Sequence, residues 1–135
     1  MSDWNAKIIK EFRENEGRVG GYFKNTPLLL LHNTGAKSAK VRINPVAYLE
    51  DGERLIVIAS KGGADSHPDW YFNVKANPDV RIEVGSQEFE AMAEITKEPE
   101  RSELYARMAA KNANFADYER KTERVIPVIA LTRRA

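Results

Sequence analysis

The sequence contains no cysteine. This excludes a disulfide framework, a zinc ribbon, an iron–sulfur site and a thiol nucleophile. No apolar run approaches the ~20 residues that are needed to cross a bilayer. Residues 1–10 carry several charges and lack the apolar core of a secretory signal. Together these absences favour a cytoplasmic protein.

The overall composition is that of an ordinary globular domain. The 135 residues are 42% hydrophobic and 30% charged, which excludes collagen-like and disordered chains. The length fits one domain with a single core, and neither an internal repeat nor an interdomain linker is visible. We therefore predict one domain that spans residues 1–135.

Acidic residues are missing between Glu16 and Glu50, although the whole chain has a net charge of only +1. The basic residues in this stretch are Arg18, Lys24, Lys37, Lys40 and Arg42. A segment with charges of one sign favours a surface that receives an anion. A solvated basic face that binds nothing is the alternative that the charges leave open.

Hydrophobic spacing predicts an amphipathic helix over about residues 3–15. Asp3 is a suitable N-cap, and the apolar face carries Trp4, Ile8, Ile9 and Phe12. Glycines at positions 17, 20 and 21 end the helix and form a hinge into the rest of the domain. The apolar face could pack on the domain, act as a lid or make a peripheral membrane contact.

Apolar alternation and turn residues predict six strands. Leu28–Asn33 is a continuous apolar run typical of a buried strand, and Asp51-Gly52 and Gly85-Ser86 are hairpin turns. The element order is α-β-β-β-α-β-β-α-β, and Pro45 within the second strand requires an edge or a bulge. We predict a mostly β fold with flanking helices, a closed or split barrel of six mainly antiparallel strands.

Signatures of several enzyme classes are missing. His32 and His67 have no further ligand at a suitable spacing, so we predict no metal site. The nucleophile elbow and the dinucleotide fingerprint do not occur, and Gly35-Ala36-Lys37-Ser38 matches only the end of a P-loop. Nucleic-acid binding is disfavoured, because the basic residues lack interleaved exposed aromatics.

Two loops nevertheless have the chemistry of an anion site. Lys37, Ser38, Lys40 and Arg42 can form charge-assisted hydrogen bonds with a phosphate or carboxylate. Lys61-Gly62-Gly63 adds a second cation on a loop whose glycines let backbone amides approach a ligand. Because these loops follow neighbouring strands, we expect them to lie close together.

An aromatic cluster at Trp70, Tyr71 and Phe72 follows the second loop. At least one of these rings should fill the core, while another could edge a planar cofactor to which Asn73 is free to hydrogen-bond. The residues by themselves therefore predict a small barrel that binds a planar, polyanionic ligand.

Five short motifs follow one another along the chain. They are Gly35-Ala36-Lys37-Ser38, Arg42-x-Asn44-Pro45, Ala59-Ser60-Lys61-Gly62-Gly63-Ala64, Pro68-x-Trp70-Tyr71-x-Asn73 and Ala76-Asn77-Pro78. With Asp117-Tyr118 and Ile126-Pro127, they resemble the deazaflavin-dependent nitroreductase family from about Gly17 to Leu131. Each motif alone is weak, but five in the same order are specific.

The resemblance implies a split β-barrel related to FMN-binding barrels and a bound coenzyme F420, a deazaflavin with a phosphate and an oligoglutamate tail. Such a ligand matches the anion site inferred from the loops. The cofactor-binding residues implied in this way are Ala36, Lys37, Ser38, Lys40, Arg42, Ile43, Asn44, Pro45, Val46, Ala47, Ile58, Ala59, Ser60, Lys61, Gly62, Gly63, Asp69, Trp70, Tyr71 and Asn73. Ala39 stands where family members often carry glycine, which should stiffen this loop.

The implied activity is hydride transfer from reduced F420 to a small organic acceptor, namely a quinone, a nitroaromatic or an activated enone. Ser60 and Tyr118 are the candidate catalytic donors, and Lys61 adds positive potential. Asn112, Phe115 and Tyr118 stand where the nitroreductase has tyrosines, which makes them candidate substrate residues. Because phenylalanine cannot donate a hydrogen bond, we expect weak nitro reduction. A non-catalytic F420 or FMN carrier is the alternative.

Overall fold

The computed structural model describes residues 3–20 and 27–134, with side chains from Asn5 onward. The helices are α1 (Asp3–Glu14), α2 (Asp69–Ala76), α3 (Glu100–Lys111) and α4 (Ala113–Lys121). The strands are β1 (Leu28–Thr34), β2 (Val41–Asp51), β3 (Arg54–Ile58), β4 (Asp79–Val84), β5 (Gln87–Ile95) and β6 (Val128–Arg133). A short 3-10 turn at Lys61–Gly63 precedes α2. The side chain of Trp4 and the hinge glycine Gly21 lie outside the described residues.

The strands pair antiparallel into a closed barrel in the order β1-β2-β3-β6-β5-β4. This confirms the predicted fold of six strands with flanking helices. Both predicted hairpins are present, because Asp51 pairs with Arg54 and Val84 pairs with Gln87. The segment after α3, for which the sequence favoured neither loop nor helix, forms α4.

The last strand begins later than the sequence predicts. Alternation places it at 126–131, whereas β6 spans Val128–Arg133. The carbonyl of Ile126 accepts a hydrogen bond from Arg101 Nη1 at 2.9 Å, and Pro127 has no amide hydrogen to offer a ladder. The two residues therefore lead into the strand without belonging to it.

Pro45 lies at a position in the sheet that tolerates proline. It pairs with Leu30 of β1, and the pairing of β2 with β3 begins only at Tyr48. On the β3 side this part of β2 is an edge, where a missing amide hydrogen costs no ladder bond. The prediction of an edge position is confirmed.

The strand directions place every long connection at one end of the barrel. β1, β3 and β5 run in one direction and their partners run in the other. The β1–β2 loop, the connection that contains α2 and the connection that contains α3 and α4 therefore leave the same end, which we call the loop end. The opposite end, the hairpin end, carries the turns at 52–53 and 85–86.

Alternation along the strands divides the core into three hydrophobic clusters. The barrel interior contains Leu29, Leu31 and Val57, and α2 contributes Trp70 and Val74 to it. The outer face of β3 and β6 is covered by α3 and α4. The outer face of β1 and β2 is covered by α1 and by the chain that follows it. Trp70 and Tyr71 of the predicted aromatic cluster are both buried, so two of its three rings fill the core.

The amphipathic face of α1 packs on the barrel. Ile9 and Phe12 are buried against Leu28 and Leu30. Arg13 fixes the end of the helix by donating two hydrogen bonds to Glu83 on β4. Of the three roles left open for this helix, packing is the one for which the described side chains give contacts. None of the described helices is long and apolar enough to span a membrane.

Candidate cofactor and acceptor site

A groove of about 840 Å³ opens at the loop end between α2, the β1–β2 loop and the start of β2. The predicted cofactor residues that line it are Ala36, Lys37, Ser38, Arg42, Ile43, Asn44, Asp69, Trp70 and Asn73. Residues not assigned to the cofactor from sequence also line it: Asn5, Gly35, Val41 and Phe72. The β1–β2 loop and the aromatic segment of α2 thus meet in one groove. The second basic loop, Lys61-Gly62-Gly63, is not part of its lining.

The rim of the groove is basic. Lys37, Lys40 and Arg42 are exposed, and none of them forms an ion pair with another described residue. Most other arginines of the described chain are paired with carboxylates, as Arg13 is with Glu83. Cations without counter-charges raise the local positive potential and attract anionic ligands. This rim therefore suits a phosphate or a carboxylate-bearing chain.

The β1–β2 loop is a tight turn that presents these cations. The amide of Gly35 donates to the carbonyl of Lys40 at 2.8 Å, and the amide of Ala39 donates to the carbonyl of Gly35 at 3.0 Å. Ser38 Oγ accepts from the amide of Lys40 at 3.2 Å. A Cβ atom on Gly35 would lie 2.3 Å from Ser38 Oγ and 3.3 Å from the carbonyl oxygen of Lys40, so a side chain here would force Ser38 into another rotamer and break its hydrogen bond to the amide of Lys40.

Ala39 adopts a left-handed backbone with φ of 59°. An L-residue pays roughly 1–2 kcal/mol for this conformation, whereas glycine adopts it freely. We expect Ala39→Gly to raise the free energy of unfolding by up to about 1 kcal/mol, the remainder being lost to the greater entropy of the unfolded chain. Urea denaturation measures the change. A lower stability would show that Ala39 makes compensating contacts.

Three asparagines connect the elements around the groove. Asn73 on α2 accepts from the amide of Ala36 at 2.9 Å and donates to Asn33 Oδ1 at 2.8 Å. Asn33 in turn donates to Asn44 Oδ1 at 3.0 Å. Asn33 is only 1% exposed. The amide of Asn73, which the sequence left free for a cofactor, is thus used to join α2 to the β1–β2 loop.

A second set of predicted residues gathers where the Ser60–Gly63 turn meets α4. Gly63 has φ of +85°, and a Cβ atom on it would lie 3.0 Å from both the Cα and the carbonyl oxygen of Tyr118. Ser60 is buried and its side chain makes no capping hydrogen bond. Lys61 Nζ donates to Ser66 Oγ at 3.2 Å. The two candidate donors, Ser60 and Tyr118, therefore lie on segments in direct contact.

Phe115 and Asn112 have structural contacts of their own. Phe115 is 6% exposed in the cluster under α3 and α4, and its ring packs edge-on against Tyr118 with centroids 5.3 Å apart. Its carbonyl accepts from Tyr105 Oη at 2.5 Å, and burial raises the pKa of Tyr105 to about 12. Asn112 caps α4 by accepting from the amide of Asn114 at 3.0 Å. Neither residue lines the groove.

Several other predicted cofactor residues point their side chains into the core. Ala59 and Tyr71 belong to the barrel interior, and Ile58 belongs to the cluster under α3 and α4. Val46 packs against the interior as well. Such residues can reach a ligand at the loop end only through backbone atoms. Among the described residues, no three His, Asp or Glu side chains are arranged to hold a metal ion.

The closed barrel with its loop-end groove places the chain in the split-barrel class. The heme storage protein HutZ of Vibrio cholerae has the same fold, with a TM-score of 0.62 and 14% identity over 97% of this chain and 91% of that one. A solved F420-H2 dependent reductase matches with a TM-score of 0.72 and 38% identity, covering 78% of this chain and 93% of that one. A protein solved as a domain-swapped dimer matches with a TM-score of 0.73 and 34% identity over 96% and 97% of the two chains.

Comparisons of sequence narrow the class to a family. The family model of the F420H2-dependent quinone reductases matches residues 4–133. An F420H2-dependent quinone reductase of Mycobacterium tuberculosis is 41% identical over 127 residues, which cover 91% of this chain and 85% of that protein. The chain belongs to the F420H2-dependent quinone reductase family. The predicted relation to F420-dependent reductases is therefore confirmed, and the family to which the chain belongs is named for quinone acceptors and not for nitro compounds.

Proposed function

We propose that this chain reduces quinones with F420H2 and that the loop-end groove holds the cofactor. Its family consists of oxidoreductases that use reduced F420, so the class of activity is settled and the placement of the ligands is our proposal. The observation that carries the placement is a groove lined by Lys37, Arg42, Trp70 and Phe72, with Lys40 on the same loop, in which none of the three cations is paired with a described carboxylate.

The residues of the groove fit a deazaflavin with an anionic tail. Lys37, Lys40 and Arg42 bind the phosphate and the tail carboxylates through charge-assisted hydrogen bonds. Trp70 and the start of β2 border the planar ring, since apolar walls with few polar groups are typical of such pockets. Asn73 acts here as a positioning residue, because its hydrogen bond to Ala36 fixes the loop that carries the cations.

The acceptor takes the open, apolar side of the site. Val41 is 66% exposed and Phe72 is 47% exposed, and both line the groove. F420H2 supplies the hydride when it is bound. Ser60, Lys61 and Tyr118 do not line the groove, so the acceptor must extend from it to the Ser60–Gly63 turn. There the hydroxyls of Ser60 and Tyr118 donate hydrogen bonds to the acceptor oxygen as negative charge develops, while Lys61 adds positive potential. Phe115 supports Tyr118 from the core and leaves the quinone oxygens to these two hydroxyls.

We expect the purified protein to bind F420 at micromolar concentration or better, and at least about tenfold more tightly than FMN. The basic rim favours the longer anionic tail of F420 over the single phosphate of FMN. Absorbance titrations with oxidised F420, FMN and FAD measure the three affinities. A tenfold preference for FMN, about 1.4 kcal/mol, would contradict the proposal. Oxidation of F420H2 by menadione, compared with the buffer reaction, separates an enzyme from a carrier.

We expect Lys37→Ala to weaken binding of F420 more than binding of a tailless analogue, by up to about tenfold for the former. Added salt should reduce the difference, because exposed charges are screened. Lys97→Ala is the matched control, since Lys97 is exposed and lies outside the groove. Equal losses for the two ligands would show that Lys37 does not contact the tail.

A further inference from the structure

Arg124 lies in the segment between α4 and β6, and its guanidinium points into the connection between β3 and α2. Nε donates to the carbonyl of Ala64 at 2.7 Å and Nη2 donates to that of Ser60 at 2.6 Å. Nη1 and Nη2 each lie 3.2 Å from the carbonyl of Ala59. One side chain thus holds three carbonyls of a single loop.

The fourth partner of Arg124 is a histidine on the same connection. Nη1 lies 2.9 Å from Nδ1 of His67, and because arginine has no acceptor, Nδ1 must accept. The imidazole is therefore neutral, with its proton on Nε2. Its ring packs against Tyr71 and Phe72 at centroid distances of 4.6 and 5.8 Å. Burial, Arg124 and Lys75 all lower the pKa of His67.

The charge of Arg124 is not balanced by an ion pair with any described carboxylate. Asp65 is the acidic residue that acts on it, and it does so through space. Burial of the guanidinium lowers its pKa. Charge-assisted bonds to carbonyls are stronger than neutral ones, and the planar fork of arginine suits several acceptors at once. A lysine could replace the charge but not this geometry.

The connection has few other bonds to the rest of the domain. Between Ser60 and His67 the backbone hydrogen bonds are local, from Gly63 to Ser60 and from Ala64 to Lys61. The amide of Ala59, just before, bonds to the carbonyl of Pro127. The shape of the Ser60–Gly63 turn therefore depends on contact with α4 and on Arg124.

We propose that Arg124 is a positioning residue for the cofactor. Together with neutral His67 it forms a clamp, the set of hydrogen bonds from Arg124 to the connection between β3 and α2, and this clamp holds the Ser60–Gly63 turn in the shape that binds the cofactor. This inference rests on the proposed function and on a contact of F420 with the Ser60–Gly63 turn, which the family resemblance implies and which would extend the cofactor beyond the lining of the groove. If Arg124 only stabilised the domain as a whole, its removal would lower the global stability without a specific change at the turn. If it acts as a clamp, its removal loosens this one loop.

Amide hydrogen exchange on the protein without cofactor tests the clamp directly. We expect Arg124→Met to raise exchange at the hydrogen-bonded amides of Ala59, Gly63 and Ala64 about tenfold or more, and Arg124→Lys to give a smaller rise, because each lost bond lowers the local opening free energy. Arg120→Met is the control, since Arg120 is exposed on α4 and pairs only with Asp117. Unchanged exchange in folded Arg124→Met would overturn the proposal.

Affinity for F420 tests the positioning role. We expect the dissociation constant to rise about tenfold in Arg124→Met, partly restored in Arg124→Lys and unchanged in Arg120→Met. Faster exchange with unchanged affinity would overturn the positioning role, since the turn would then be loosened without consequence for the cofactor. Failure of the wild-type protein to bind F420 would instead contradict the proposed function, and the exchange experiment would still decide whether the clamp exists.

Histidine titration gives a readout that does not depend on replacing the arginine. Protonation makes Nδ1 of His67 a donor that faces Arg124, so the anchor is present above the lowered pKa and is lost as the pH falls through it, below the ordinary ~6.5. We expect the affinity of the wild-type protein for F420 to fall as the pH drops below this pKa. The His67→Asn variant should keep its affinity over the same range, because the amide oxygen of asparagine can still accept the hydrogen bond. Equal pH profiles in the two proteins would overturn the role of His67, because titration of the cofactor itself is common to both.

Discussion

Replacing Asn73 with leucine should lower the free energy of unfolding by about 2 kcal/mol, because the buried Oδ1 atom of Asn33 loses its donor at a cost of roughly 1–3 kcal/mol, whereas the amide of Ala36 belongs to an exposed residue and adds less. The amide of Ala36 loses its acceptor and Asn33 Oδ1 loses its donor. Asn33 is nearly inaccessible to water, so solvent cannot replace the lost bond. Affinity for F420 should fall as well, since the β1–β2 loop is no longer tied to α2.

Urea denaturation and F420 titration measure these two losses, and Asn114→Leu is the control. Asn114 is exposed on α4, and its side chain makes no hydrogen bond to another described residue, so its replacement should change stability by less than ~0.5 kcal/mol. A double-mutant cycle with Asn33→Leu adds a sharper test. The double variant should lose less than the sum of the single ones, because the stranded partner is gone. Strict additivity would show that the two side chains are not coupled.

Substituting alanine for Gly63 should destabilise the domain by about 3 kcal/mol, which combines overpacking of 1–3 kcal/mol with a left-handed backbone penalty of about 1 kcal/mol. The new methyl group would meet main-chain atoms of Tyr118 at 3.0 Å. Backbone atoms of a helix cannot rotate away as a side chain can. The Ser60–Gly63 turn and α4 must therefore separate, which displaces both proposed donors and should slow menadione reduction at least tenfold, or ~1.4 kcal/mol.

Gly62→Ala separates the steric effect from the backbone effect. Gly62 also has a positive φ, of 64°, but a Cβ atom on it would meet nothing within 4 Å. Gly62→Ala should therefore lower the free energy of unfolding only by the penalty for a left-handed backbone at alanine, about 1 kcal/mol. Thermal and urea unfolding of both variants give the comparison. Equal destabilisation by Gly63→Ala and Gly62→Ala would mean that α4 can move away from the added methyl group without loss of stability. The contact between the turn and α4 would then not fix the position of Tyr118.

Local patterns in the sequence were sufficient to predict most of the barrel. A continuous apolar run marks the first strand and apolar alternation marks most of the others, while Asp51-Gly52 and Gly85-Ser86 determine two of the pairings by their length alone. The groove was predictable in part for the same reason, because Lys37, Ser38 and Arg42 are near neighbours in the chain. What local patterns cannot give is which residues meet when the barrel closes.

Asn33 and Arg124 illustrate that limit. Asn33 meets Asn73 across 40 residues of sequence, and Arg124 meets Ser60 across 64, so neither pairing follows from spacing. For Asn33 the sequence does indicate a buried hydrogen-bonding role, since it is a polar residue at an inward position of an apolar strand. For Arg124 it does not, because an arginine after a helix is usually solvated. Phe115 shows a different limit: the family resemblance implies a substrate position for it, and its ring packs in the cluster under α3 and α4, so its substrate role stays a prediction.

Because the proposed site and the hairpin turns lie at opposite ends of the barrel, a second protein can be attached to this domain at a distance from the site. The proposed site lies at the loop end, whereas the two hairpin turns lie at the opposite end of the barrel. The turn at Gly52 projects into open space, whereas the turn at Gly85 touches Gly17 and is less suitable for modification. A reporter, a surface tether or a second enzyme that regenerates the reduced cofactor can therefore be grafted at Gly52-Glu53, at the end of the barrel opposite the groove.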